Sequence, residues 1–448
     1  MIGGQALFDA ARPGGTGLVE RLARLRRLQV HAFRRLGWGV IDQGVSSLTN
    51  FAVVIYVART LGATELGAFS LSYVTYGFAL NASRGIATEP LMVRFSGSTD
   101  RVWRRAVASC TGMAIVTGLI SGICVLAACL LLRGPARGGF LALGLTLPGL
   151  LLQDSWRFAF FAIGRGSQAL INDTIWGAVL IPALVVLART GHRNVFAFVL
   201  AWGASAAVAA AVGPFQARVM PNPMNAAQWM IQHRDLGPRY MAENTSQSAA
   251  NQLRSYGNGV ILGLGTVGYL QAATTLMGPF QVVMFGISIV MVAESARILK
   301  RSPQRLSAFC VLLSVGLAIA AFLWGVAILV ALPVGMGAWL LGPLWHQTYP
   351  LVLPTMLSYI GQSASAGAVA GLHALGAAKR SMWVAFFVAV TYLSFNLLGA
   401  VVAGAVGSLI GAAIAAWLSA LLMWVQLRAA LREYGRPPRR PGRHRRAR

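Results

Sequence analysis

Charge is scarce in this sequence, and negative charge is scarcer still. Only 11% of the 448 residues are charged, and only twelve are acids. A soluble globular chain usually carries about 25% charged residues. A mean hydropathy of +0.63 and a 56% hydrophobic content call for an apolar solvent instead. Lysine is nearly missing, with Lys300 and Lys379 alone among 38 basic residues, which we read as a coding bias. The four cysteines (Cys110, Cys124, Cys129, Cys310) have no CxxC spacing and fall inside apolar runs. They predict buried free thiols rather than a disulfide framework. The six histidines are scattered without metal-ligand spacing, so neither a metal nor another cofactor is expected. No G-x-x-x-x-G-K-[ST] loop is present, which excludes a built-in ATPase of that type.

What the chain does have is long apolar runs. A membrane-spanning helix needs roughly 20 mostly apolar residues. Twelve such runs are expected near 37–58, 67–91, 106–132, 139–163, 168–188, 195–216, 240–263, 267–293, 306–332, 347–372, 382–402 and 405–427. The fold class is therefore an all-α polytopic membrane protein. The longest connection, 217–239, contains "PNP" and mixed charge and is read as a link between halves. The expected layout is a basic N-terminal segment (1–36), a first lobe (37–216), the linker (217–239), a second lobe (240–427) and an Arg-rich tail (428–448). The N-terminus does not resemble a cleaved signal peptide, because nearly forty residues precede a first run long enough to remain a membrane helix.

The basic residues indicate orientation. Seven arginines precede residue 37, and nine lie from Arg428 to Arg448 against the single acid Glu433. Positive charge beside spans favours the cytoplasmic side and meets anionic lipid there. Both termini are thus expected inside, in a cell inner membrane, which requires an even number of spans. Connections 94–105, 217–239, 297–305 and 379–380 carry Lys or Arg and fall on that side, whereas the outer connections of the second half carry none. Arg133, Arg137, Arg189 and Arg193 in the first half run against the rule. Beside membrane helices, the basic tails signal orientation and anionic headgroups, and nucleic acid is not an expected partner. Residues 18–36, with Leu18, Leu22, Leu25 and Leu36 opposite arginines, read either as an interfacial helix or as a solvated basic segment.

The sequence repeats itself. Shifted by 201 positions, Asn50, Leu61, Gly62, Gly67 and Gly77 meet Asn251, Leu262, Gly263, Gly268 and Gly278. A second echo pairs "FAIGRGSQ" (161–168) with "HALGAAKR" (373–380). Six spans per half is an even number, so the halves would be parallel repeats, as in some transporters. The Gly-rich pauses at 61–69 and 262–270 would be tight hairpins between spans.

The stretches "ARTLGATELGAFSL" (58–71), "EPLMVRFS" (89–96) and "FFAIGRGSQAL" (160–170) resemble the polysaccharide-exporter and lipid-linked oligosaccharide flippase branch of the multidrug/oligosaccharidyl-lipid/polysaccharide (MOP) exporter superfamily. The resemblance implies two six-helix lobes in a V around a central cavity lined by spans 1, 2, 7 and 8. It implies alternating access, a cargo of polyprenyl-diphosphate-linked sugars and no enzymatic activity. It also implies other polysaccharide-assembly membrane proteins as partners. Rival readings are a cation or drug antiporter of the same fold, which favours an acidic cavity, and a membrane polymerase or ligase, which usually needs a sizeable outer loop.

Ionisable residues inside spans are costly and mark function by default. Here they are Asp42, Arg84, Glu89, Asp154, Arg157, Asp173, Glu243, Arg254 and Glu294. Spans 1 and 7 are also rich in amides and hydroxyls, including Asn50, Asn251 and Gln252. Asp154 and Arg157, three apart, can satisfy each other. Arg84 is a candidate diphosphate ligand, because arginine offers bidentate donors. Arg254 has no acid within four residues, so its partner is either cargo or another helix. Arg157, Asn50, Asn251 and Gln252 complete the candidate cavity set. Asp42, Glu243 and Glu89 are candidates for ion coupling, although Glu89, like Glu294 beside Arg297, could simply cap its span. Pro148, Pro182, Pro214 and Pro279 are expected to kink their spans.

Overall fold

The computed structural model describes residue 44 and residues 47–375 and 378–434. The segment 18–36, Asp42 and the basic tail beyond 434 lie outside the described residues, as does Gly376, the second half's counterpart of Gly164 in the later echo. Every regular element among the described residues is helical.

The first half contains Ser47–Leu61 (span 1), Ala63–Ser83 continued through a π-turn to Phe95 (span 2), Asp100–Ala128 (span 3), Gly134–Ala162 (span 4), Gly166–Arg189 (span 5) and Val195–Ala217 (span 6). A short helix, Ala226–Gln232, lies in the linker. The second half contains Gly237–Leu262 (span 7), Leu264–Leu276 and Gly278–Arg301 (span 8), Pro303–Ala331 (span 9) and Trp345–Ala374 (span 10). Ala378–Tyr434 follows, broken at Ala403 and Gly404 into spans 11 and 12. The chain is a multi-pass membrane protein of twelve spans in two lobes. As expected, Pro279 stands where span 8 is interrupted, in the first turn of its second segment.

Small residues let these helices pack without a hydrophobic drive between them. A Cβ on Gly213 would fall 2.3 Å from the Trp156 ring, so that buried indole fits only against glycine. In the first lobe Trp202 is 2% exposed, with the rings of Tyr73, Tyr76 and Trp176 at 5.7, 4.9 and 6.2 Å. The thiols are free, but Cys124 is exposed on its span rather than buried.

The two Gly-rich pauses have one backbone conformation. Gly62 has φ 87 and ψ 178, and Gly263 has φ 83 and ψ 162. Only glycine enters that region without strain, so each hairpin needs it. Glu65, the one acid in the first pause, accepts a hydrogen bond from the Val195 backbone N–H at 2.8 Å. It thereby satisfies a free donor at the start of span 6.

The linker is bound to the first lobe. Trp229 donates its indole N–H to the Ile86 carbonyl at 3.1 Å, inside the π-turn Arg84–Thr88 of span 2. Arg94 pairs with Asp235 at 2.5 Å, and Arg104 donates to the Arg218 carbonyl at 2.9 Å. His233, 2% exposed, packs its ring on Trp229 at 4.1 Å, and its Nδ1–H donates to the Trp229 carbonyl at 2.9 Å. Burial lowers the His233 pKa below its ordinary value, outweighing the hydrogen bond to the Trp229 carbonyl, while the charges of Arg94 and Asp235 act in opposite directions. The neutral ring is therefore the folded form. Its contribution is complete above about pH 6.5, the ordinary histidine value, and is lost as pH falls below it. Amide hydrogen exchange across 226–237 is expected to quicken between about pH 6.5 and pH 5, beyond the intrinsic pH effect. His233→Phe should remove that excess.

Candidate functional site: an amide-lined cavity with an arginine

The halves meet at the repeat. A Cβ on Gly67 would lie 1.8 Å from the Leu264 carbonyl oxygen, and one on Gly268 would lie 2.2 Å from the Ala63 carbonyl oxygen. Each glycine of the duplicated pair packs on the other half's hairpin, which closes that end of the bundle. Tyr256 and Thr75 join spans 7 and 2 through a hydroxyl–hydroxyl hydrogen bond of 2.5 Å.

From mid-span towards the linker end opens a cavity of about 810 Å³. Span 1 contributes Asn50 and Ser47, and span 7 contributes Asn251 and Arg254. Span 2 contributes Tyr73. Spans 1, 2, 7 and 8 all contribute to the wall, and spans 10 to 12 supply much of the rest. Gln362, Tyr359, Ser358 and Thr355 come from span 10, Tyr392 from span 11, and Leu409 and Ala412 from span 12. Span 8 adds Gln271, Thr274, Thr275 and Gln281. These residues escaped the sequence reading, which followed charge. The usable signal was spacing: 355, 358 and 362 share one helical face, as do 271, 274 and 275. A polar stripe on an apolar helix marks the face turned away from lipid.

Arg254 is the one charged residue among the described lining residues. Its Nε is buried without a hydrogen-bond partner among the described residues. The guanidinium carbon lies 5.7 Å from the centroid of the Tyr392 ring.

Arg84 differs. It forms a bidentate fork on Asp154, Nε to Oδ2 at 2.9 Å and Nη2 to Oδ1 at 2.6 Å, beside the Phe158 ring at 5.1 Å. This corrects one expectation and adds to another. Arg84 is held by a carboxylate rather than turned to the cavity. Asp154 takes Arg84, seventy residues away, as its close partner, while Arg157 one turn along stands 3.7 Å off. A facing helix can bring the guanidinium fork end-on, which a neighbour on the same helix does poorly. Arg157 turns instead to Asp173 at 3.1 Å, and Gln153 donates to the same carboxylate at 2.7 Å. Asn172 continues the network to Gln216 at 2.8 Å. Two arginines balance two aspartates inside the first lobe, so Arg157 also leaves the cavity set.

Of the other candidates, Gln252 is buried outside the cavity lining. Glu89 accepts a hydrogen bond from Asn244 at 2.7 Å, linking span 2 to span 7. Glu294 pairs with Arg297 at 3.1 Å. The Glu243 side chain and Asp42 lie outside what is described. No group of three or more potential metal ligands occurs among the described residues.

No family model matches the sequence, and no curated protein matches it. Solved structures do match. An inward-facing multidrug resistance MATE family transporter of the MOP superfamily aligns with TM-score 0.66 at 15% identity, covering 87% of this chain and 96% of that one. The lipid II flippase MurJ in an inward closed conformation aligns with TM-score 0.63 at 11% identity, covering 88% of each chain. A MOP superfamily transporter from Pyrococcus furiosus, described as having a binding pocket of reverse polarity, aligns with TM-score 0.56 at 15% identity, covering 91% and 96%. The chain thus has the two-lobed, twelve-helix, MATE-like fold of these MOP superfamily transporters.

Proposed function

We propose that the chain is a transporter that flips a polyprenyl-diphosphate-linked oligosaccharide, or a related polysaccharide precursor, across the inner membrane by alternating access. The observation that carries this reading is Arg254, an arginine without an ion-pair partner among the described residues, placed in a cavity with no acidic lining residue among them. A cation left unpaired inside a membrane bundle is costly, and an anionic cargo removes that cost when it binds. Amides and hydroxyls from spans 1, 7, 8 and 10 suit sugar hydroxyls. Lipid II flippase MurJ shares the fold, which supports a lipid-borne cargo. A cation or drug antiporter fits less well, because the charged group in the described lining is cationic. The linker end faces the cytoplasm in this reading, with both termini inside and anionic lipid at the basic tails. Membrane proteins of polysaccharide assembly are the natural partners.

The test uses the full chain in proteoliposomes and a fluorescent polyprenyl-diphosphate sugar. Arg254→Gln is expected to slow flipping roughly ten- to hundredfold, the weight of hydrogen bonds to a charged group, while the protein remains inserted and folded. Flipping at the unaltered rate would overturn the proposal.

A further inference from the structure

The two lobes hold an arginine in different ways. Asp154 occupies the Nε and Nη2 donors of Arg84. Arg254 lies over the Tyr392 ring, with no ion pair among the described residues. An aromatic face attracts a guanidinium without occupying its N–H groups. A long arginine side chain otherwise loses rotamer freedom when a ligand fixes it. A ring that fixes it beforehand removes part of that cost and leaves the donors for the ligand.

The packing around the pair maintains this arrangement. Gly257, one turn after Arg254, packs on Leu397, and a Cβ there would fall 2.6 Å from a Leu397 methyl. Asn258 stands four residues after Arg254, and Asn396 four after Tyr392. Asn258 Nδ2 donates to the Ser408 hydroxyl at 3.2 Å, and that hydroxyl donates to Asn396 Oδ1 at 3.0 Å. Asn396 Nδ2 donates to the Ser408 carbonyl at 2.9 Å. All three are at most 1% exposed. This closed polar triad ties spans 7, 11 and 12 together one turn beyond the arginine and the tyrosine. Buried networks with satisfied members are rigid.

We propose that Tyr392 is a positioning residue of the cavity: its ring presets Arg254 to receive one oxyanion of the cargo, at a spacing fixed by Asn258, Asn396 and Ser408. This rests on the anionic cargo proposed above and assigns span 11, which has no acidic or basic interior residue, a part in recognition.

Binding of farnesyl diphosphate to the full chain in lipid nanodiscs tests it. Tyr392→Leu is expected to weaken binding about tenfold, and Tyr392→Phe, which keeps the ring, to restore most of that loss. In an Arg254→Gln background, Tyr392→Leu should cost almost nothing further. The thermal midpoint of each variant reports whether it is folded. If Arg254→Gln weakens binding but Tyr392→Leu adds the same loss with or without Arg254, or Tyr392→Phe binds as poorly as Tyr392→Leu, the positioning role is overturned. If Arg254→Gln binds as tightly as the unaltered protein, the anionic-cargo reading falls with it.

Discussion

Asp154→Ala should leave a protein that barely accumulates in the membrane, with a cost near 3 kcal/mol, the lower end for breaking a buried ion pair. The aspartate side chain is 4% exposed and the Arg84 side chain 29%, so removing the carboxylate strands a guanidinium with limited access to water. Arg157 cannot compensate, because its closer contact is Asp173 at 3.1 Å. The companion variant separates structure from transport. Arg84→Met with Asp154→Leu removes both charges and keeps apolar volume, and replacing a buried pair in this way is often neutral or stabilising. Thermal unfolding in detergent should rank the double variant well above Asp154→Ala. If the double variant also flips the fluorescent polyprenyl-diphosphate sugar, Arg84 serves only the architecture. If it is stable and inactive, Arg84 does more than hold the lobe together.

Gly67→Ala and Gly268→Ala act at the opposite end of the bundle. Each adds one methyl where the other half's main-chain oxygen stands 1.8 or 2.2 Å away, and no rotamer relieves a clash with backbone. Overpacking costs typically 1–3 kcal/mol, which falls on the state closed at the hairpin end and spares the state open there. The ratio of closed to open molecules should drop about tenfold in each variant. Spin labels at Arg189 and Val402, near the hairpin-end tips of spans 5 and 11, should report longer distances by electron resonance, and flipping should slow. Gly259→Ala is the control, because a Cβ there meets Leu71 at an ordinary 3.6 Å. Unchanged distances in both Gly67→Ala and Gly268→Ala would show that the hairpins do not form the closure.

Charge and spacing made much of this protein legible before any coordinates. The offset of 201 paired Gly62 with Gly263 and Gly67 with Gly268, and in the structure the first pair shares one conformation and the second pair packs against each other's hairpins. Arg254 stood out because no acid lay within a turn of it. Arg84 read as a diphosphate ligand, because its partner Asp154 is seventy residues away on another span. Local spacing finds partners on the same helix and is blind to those on facing helices. The uncharged wall residues Tyr359, Gln362 and Tyr392 were overlooked for a related reason. A tyrosine or glutamine in a span reads the same whether it faces a cavity or a neighbouring helix.

The sequence alone determined the solvent and the duplication. Burying some twenty apolar residues at a time has one physical outcome, and a repeated glycine demands a repeated backbone. Tertiary structure decided the fate of each buried charge. The energy of an ion in a membrane bundle depends on what stands within a few ångströms, and helices far apart in the chain supply those neighbours.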